Sequence, residues 1–274
     1  MLEICRLTIV ESLRRRLTHA LFLATLTLAF VTGWAFWEIS RLSSLQGEAR
    51  LQLVFLQLFF IGLFTVMLAL TAVFTAASAM AGDLESSVAA AILARPISRR
   101  QYLLGKWLGL AVIVGGFAVL TGSGELLVGL LAGYSPPQPA AALALICGQA
   151  LLMMTLSLAL ATRLSTITSA IIATLAFFLA WMLGSAGTLG LALQRPALTL
   201  TGEIAQLLLP TNGLWQSAEY FLEPRQLIQL AHSVGMFVPF VALAPNPPAF
   251  YGWATLWMAA VLALAVRSIN RRPM

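Results

Sequence analysis

The chain has 274 residues, 60% of them hydrophobic and only 9% charged, with a formal net charge of +6. Soluble domains carry about a quarter charged residues, so this composition excludes an ordinary soluble globular fold and reads as an integral membrane protein. In so apolar a chain the basic balance concerns topology and anionic lipid; nucleic acid is excluded as a partner, because no basic run is interleaved with stacking aromatics.

Residues 1–16 mix Glu3, Arg6, Glu11 and Arg14 to Arg16 with Ile4, Leu7, Ile9, Val10 and Leu13. This pattern predicts an interfacial helix lying along a membrane surface. A signal peptide is the rival reading. However, the apolar run Leu17 to Trp37 exceeds a signal core of about 7–15 residues, and no small-x-small cleavage site ends it. It is read as a retained first span, with Trp34 and Trp37 as interfacial anchors. The second span lies within Leu51 to Ala81, and the third runs from Trp107 to Gly133. Tyr134 to Pro137 turns the chain. Spans four and five are Ala140 to Thr162 and Ile167 to about Leu193, separated at Arg163. Residues 194–248 then hold seven prolines, from Pro196 to Pro248, so no long helix crosses them intact. Broken helices at the outer interface are expected there, with Leu227 to Leu243 partly buried. The sixth span is Ala249 to Val266.

The fold class is thus all-α, integral to the membrane, with six spans in one domain over 1–274. Lysine and arginine test its orientation. Twelve fall on one side (Arg6, Arg14, Arg15, Arg16, Arg95, Arg99, Arg100, Lys106, Arg163, Arg267, Arg271 and Arg272) and 16 − 12 = 4 on the other (Arg41, Arg50, Arg195 and Arg225). The positive-inside rule places both termini in the cytoplasm.

The most specific punctuation lies in 82–106, between spans two and three. Asp83 can cap a helix start, and Glu85 adds a second negative charge near the positive end of its dipole. Leu84, Val88, Ala91 and Ile92 share one face at helical spacing. Arg95 suits the helix end, and Pro96 stops it. Ser98 with Gln101 reads as a capping box opening a second helix that carries Arg99, Arg100 and Lys106. On this reading Glu85 faces basic groups or caps the helix, while Arg95, Arg99 and Arg100 meet acidic groups or lipid phosphate.

The order Glu85, Leu93, Pro96, Ser98-Arg99, Tyr102 and Gly105-Lys106 resembles the cytoplasmic loop between the second and third spans of ABC-2 type transporter permeases. Members with a similar six-span layout include the permease of the nitrous-oxide reductase maturation system. Family members often read E-x-G-T before the leucines; here Ser87 and Val88 stand in place of that Gly-Thr. The outer stretch Leu209 to Phe221 is also similar to the segment before the last span in these permeases. The resemblance implies a coupling helix that docks into an ATP-binding subunit, with Asp83, Glu85, Val88, Ile92, Arg95, Pro96, Ser98 and Arg99 as its coupling residues. It also implies a second permease copy or a related permease, a bacterial or archaeal cytoplasmic membrane and export as the direction. A generic positive loop that only orients two spans is the alternative.

No G-x-x-x-x-G-K-[ST] is present: Gly105-Lys106 is followed by Trp107. ATP and magnesium, if used, belong to the partner subunit, and no cofactor is expected in this chain. Neither H-E-x-x-H, G-x-S-x-G nor C-x-x-C occurs, so no enzymatic site is read. Cys5 and Cys147 suggest neither a disulfide framework nor a zinc site. Glu125 is the single acidic residue deep in a predicted span. It needs a partner, water or a proton there, and serves either as a translocation contact or as a packing bond. Two other functions stay open: an ion-coupled secondary carrier, with Glu125 as coupling group, and a membrane scaffold that passes ATPase-driven motion to an extracytoplasmic partner.

Overall fold

The computed structural model describes residues 2–14, 16–42, 48–86, 89, 97–131, 135–225, 227–229, 242 and 244–271. Among them are nine helices and no strand: α1 (Leu2–Arg14), α2 (Arg16–Leu42), α3 (Glu48–Glu85), α4 (Arg99–Leu131), α5 (Pro139–Ala161), α6 (Thr166–Ala192), α7 (Pro196–Leu208), α8 (Thr211–Leu222) and α9 (Pro248–Asn270). Five of these are long and apolar enough to cross a membrane: α3 from Phe55, α4, α5, α6 and α9. In α2 the described apolar stretch, Phe22–Ala35, is shorter.

Helix α3 packs against α2, α4, α5 and α6, and α5 packs against α3, α4, α6, α8 and α9. These two form the centre because both are apolar on every side. Leu58, Phe64, Leu68, Ala72 and Ala76 of α3 face one core cluster, whereas Ala69, Val73 and Ala77 face a second with Met153, Ala173 and Phe177. Small residues let backbones close up in an apolar medium. Ser157 Oγ of α5 donates to the Val73 carbonyl of α3 at 2.7 Å. Gly122 of α4 gives Leu143 room on α5, since a Cβ there would sit 2.5 Å from the Leu143 side chain. Gly109 admits α1: its Cβ would meet the Cys5 carbonyl oxygen at 2.8 Å.

Four of the prolines in 194–248 act as helix boundaries. Pro196 and Pro248 open α7 and α9, where a missing N–H costs nothing, while Pro210 and Pro224 flank α8. Before α7, Gln194 takes a left-handed φ of 53°. Arg195 N donates to Gly190 O at 2.8 Å and Gln194 N to Leu191 O at 3.3 Å, a Schellman ending with glutamine where glycine is usual. This turn sends α7 back along α6, with Gly202 against Gly187 at backbone contact. The chain reverses again at Leu209-Pro210, and α8 returns beside α5, its Phe221 carbonyl accepting from Gln138 N at 3.1 Å.

The depth of this excursion follows from its partners. Leu214 meets Gly148, nine residues into α5, and Trp257, nine residues into α9, donates to Leu208 O at 2.8 Å. Nine residues of helix rise about 14 Å, close to half a hydrocarbon layer of about 30 Å. Helices α7 and α8 therefore turn back about halfway along the helices they pack against, a re-entrant pair in that geometric sense, whereas the sequence pointed to Leu227 to Leu243 for such an element. The segment Leu227 to Leu243 lies largely outside the described residues; of its described apolar residues Leu227 and Ala242 are buried.

Candidate functional site at the junction of α3 and α4

The sequence places a helix start at Asp83, and the structure corrects this. Helix α3 runs through Gly82 and Asp83 to Glu85, and Ser86 closes it with its N–H and hydroxyl both on Gly82 O, at 3.0 and 2.6 Å. Asp83 is 2% exposed and lies inside α3, not at a helix start. Its Oδ2 accepts from Tyr102 Oη at 2.7 Å and forms an ion pair with Lys106 Nζ. A carboxylate with a partner inside the bundle has no need of a free helix end.

Tyr102 and Lys106 are one helical turn apart on α4, so both reach the same point on α3. Lys106 also donates to Ala79 O at 2.5 Å, lies 5.6 Å from the Tyr102 ring centre, and has Glu11 of α1 at 3.9 Å. Tyr102 and Lys106 are as buried as Asp83. Burying charges costs several kcal/mol per ion unless each is paired and hydrogen-bonded, and here both are. The sequence supplied all three residues but not their pairing, because nothing local says which aspartate a lysine 23 positions away will meet.

Glu85 is also reassigned. Its Oε1 accepts from Thr166 N at 3.0 Å and its Oε2 from Thr166 Oγ1 at 3.4 Å, so it caps α6. Ser165 shares that helix start, accepting from Thr168 N through its hydroxyl. A carboxylate suits this position because the first N–H groups of a helix lack intrahelical partners and carry partial positive charge.

The capping box is as read: Gln101 N donates to Ser98 Oγ at 3.2 Å, and Ser98 N to Gln101 Oε1 at 3.1 Å. Arg99 donates through Nη1 to Ile269 O at 3.1 Å and Asn270 O at 3.2 Å, partners at the carbonyl end of α9 that the sequence did not point to. Arg163 joins it, with Nε on Ser268 Oγ at 2.8 Å and Nη2 on Ser268 O at 3.1 Å, and Thr162 Oγ1 lies 2.8 Å from Ser268 Oγ. Cations at a helix C-terminus satisfy its orphan carbonyls and its dipole together. The ends of α3, α5 and α9 and the starts of α4 and α6 thus meet at one end of the bundle. Of the remaining expected coupling residues, Val88, Ile92, Arg95 and Pro96 lie outside the described residues.

At the opposite end, Glu125 is 2% exposed and sits six residues, about 9 Å, from the end of α4. Thr32 Oγ1 is 3.4 Å from its Oε1, and its Oε2 has no hydrogen-bond partner among the described residues. It lines a small cavity with Phe64, Ile146 and Leu222. Gln57 packs its amide over Gly129, without a hydrogen bond among the described residues.

Two further acids lie one turn apart, Glu219 on α8 and Glu223 at its C-cap; the sequence reading assigned neither to a site and expected the chain near Glu219 to be accessible. Both are buried. Glu223 Oε1 accepts from Ala242 N at 2.8 Å. Asn246 ties the same loop to α8 through Ser217 Oγ and Gly213 O.

Among the described residues the chain is a helical bundle with five helices long and apolar enough to cross a membrane and a buried charge cluster at one end. The model of the ABC-2 family transporter proteins matches residues 4–267, nearly the whole chain, and the protein belongs to that family. It is accordingly a multi-pass transmembrane subunit of an ABC transporter, and membership implies an ATP-binding subunit as partner. No curated protein matches the chain.

Proposed function

We propose that this chain is the six-span permease of an ATP-driven exporter in a bacterial or archaeal cytoplasmic membrane, paired with a second copy or a related permease. Both termini and the α3–α4 junction face the cytoplasm, with α2 as the remaining span. ATP and magnesium are held by the partner subunit. Residues 82–106 form the coupling region, and the 86–98 stretch docks on that partner. The observation that supports this reading is the junction itself. The 86–98 stretch leaves α3 and rejoins α4 at a point where five helix ends are bonded together, so a force applied there reaches the whole bundle.

Docking rests on apolar burial more than on charge. Exposed ion pairs contribute at most about 1 kcal/mol each, whereas burying a side chain such as Val88 or Ile92 contributes roughly 1.5–3 kcal/mol. The double variant Val88→Asp with Ile92→Asp should therefore lose the ATP-binding subunit in a pull-down from detergent and from lipid nanodiscs. Wild-type retention of that subunit by the double variant would reject the docking surface.

A further inference from the structure

Both flanks of the 86–98 segment reach past the helices they end. On the α3 side, Glu85 holds the first N–H of α6 at 3.0 Å. On the α4 side, Arg99 holds the last carbonyls of α9 at 3.1 and 3.2 Å. These contacts bridge 81, 170 and 171 positions of chain, so neither is a local consequence of folding a turn. Each places the charge that its helix end favours, which makes the grip directional. Between the flanks, Asp83 receives Tyr102 and Lys106 in a site closed to solvent. Thr162 and Arg163 bind Ser268, so the end of α5 follows the end of α9.

We propose that Glu85 and Arg99 are positioning residues that divide a displacement of the α3–α4 junction into two outputs. Glu85 carries one to the start of α6, and Arg99 carries the other to the end of α9 and, through Ser268, of α5. The Asp83–Tyr102–Lys106 cluster keeps the two flanks in step. Helix α6 carries the re-entrant α7 on its far half, and α9 is bonded to the end of α7 by two indoles, so both outputs converge on the re-entrant pair. This inference rests on the permease reading above.

The test is hydrogen exchange on the purified complex with its ATP-binding subunit, without nucleotide and trapped with magnesium, ADP and vanadate. The quantity compared is the nucleotide-dependent difference at Ile167–Ala170 and at Val266–Asn270. Wild type should show a change of about fivefold or more at both places, the scale of one helix-end interaction. Glu85→Ala should erase the change at α6 and spare that at α9; Arg99→Ala should do the reverse. Glu85→Gln, which keeps an acceptor oxygen, should restore the α6 response. A purely structural cap would shift exchange equally with and without nucleotide. Variants that keep both changes, or that each erase both, would overturn the division into two outputs. A wild-type complex that binds and hydrolyses ATP without change at either helix end would overturn this inference alone. A wild-type chain that holds no ATP-binding subunit would overturn it together with the permease reading.

Discussion

At the residue scale the decisive feature is the buried charge of Asp83 and Lys106. Such a pair adds little net stability, since desolvation offsets most of its attraction, but removing one partner strands the other. Lys106→Met should therefore destabilise the chain by roughly 3–5 kcal/mol, seen as a lower unfolding temperature in detergent. The triple variant Asp83→Leu, Tyr102→Phe, Lys106→Met should recover most of that loss. Tyrosine goes with the pair, because its hydroxyl would otherwise lose the carboxylate it donates to in a closed site. If Lys106→Met alone were as stable as wild type, the cluster would not be the brace described above.

At the scale of elements, most of what the sequence showed was punctuation. Ser98 and Gln101 bond as a capping box because both partners lie within one turn, and local chemistry decides the outcome. The prolines at 196 and 248 mark helix starts for the same reason. Asp83, Glu85 and Arg99 were legible as polar residues near helix ends, but not as to which ends they serve, because their partners lie far along the chain. Distance along the sequence, not chemistry, hid the site. Packing gives one direct prediction. Helix α1 lies close on α4 at Gly109, where a Cβ would meet both the Cys5 carbonyl oxygen and Thr8 Cβ at 2.8 Å. Gly109→Val should lift α1 and open half-buried Cys5 to maleimide, leaving half-buried Cys147 in α5 as an internal control. Unchanged labelling of Cys5 would mean that α1 is held elsewhere.

At the scale of the whole molecule, the bonds among residues 85, 99, 163, 166 and 268–270 place three segments at one end, which agrees with the arginine and lysine distribution that groups them on one side. The side itself is open to measurement. In sealed cells a membrane-impermeant thiol reagent should reach Arg225→Cys, which is exposed at the opposite end, and should miss Ser98→Cys. Glu219 is a poor site for this purpose, being 6% exposed. Labelling of Ser98→Cys from outside would invert the topology and remove the ATP-binding subunit from the coupling segment.

The two indole bonds onto the end of α7 have a mechanical consequence. Trp253 Nε1 donates to Leu207 O at 3.1 Å and Trp257 Nε1 to Leu208 O at 2.8 Å. Carbonyls freed at that depth would face hydrocarbon at a cost of several kcal/mol each, so the outer half of α9 resists rotation or withdrawal. Its other end, about 18 Å further along, is the one Arg99 grips. A rod pinned at one point and pushed at another is a lever, with the tryptophans as fulcrum. A sideways push of about 3 Å at Ile269 would tilt α9 by roughly 10° over that arm. The short arm beyond the fulcrum, from Trp253 to Pro248, would swing the opposite way and draw on Asn246 and hence on α8. Motion at one face of the membrane would arrive at the other reversed in direction and reduced in size.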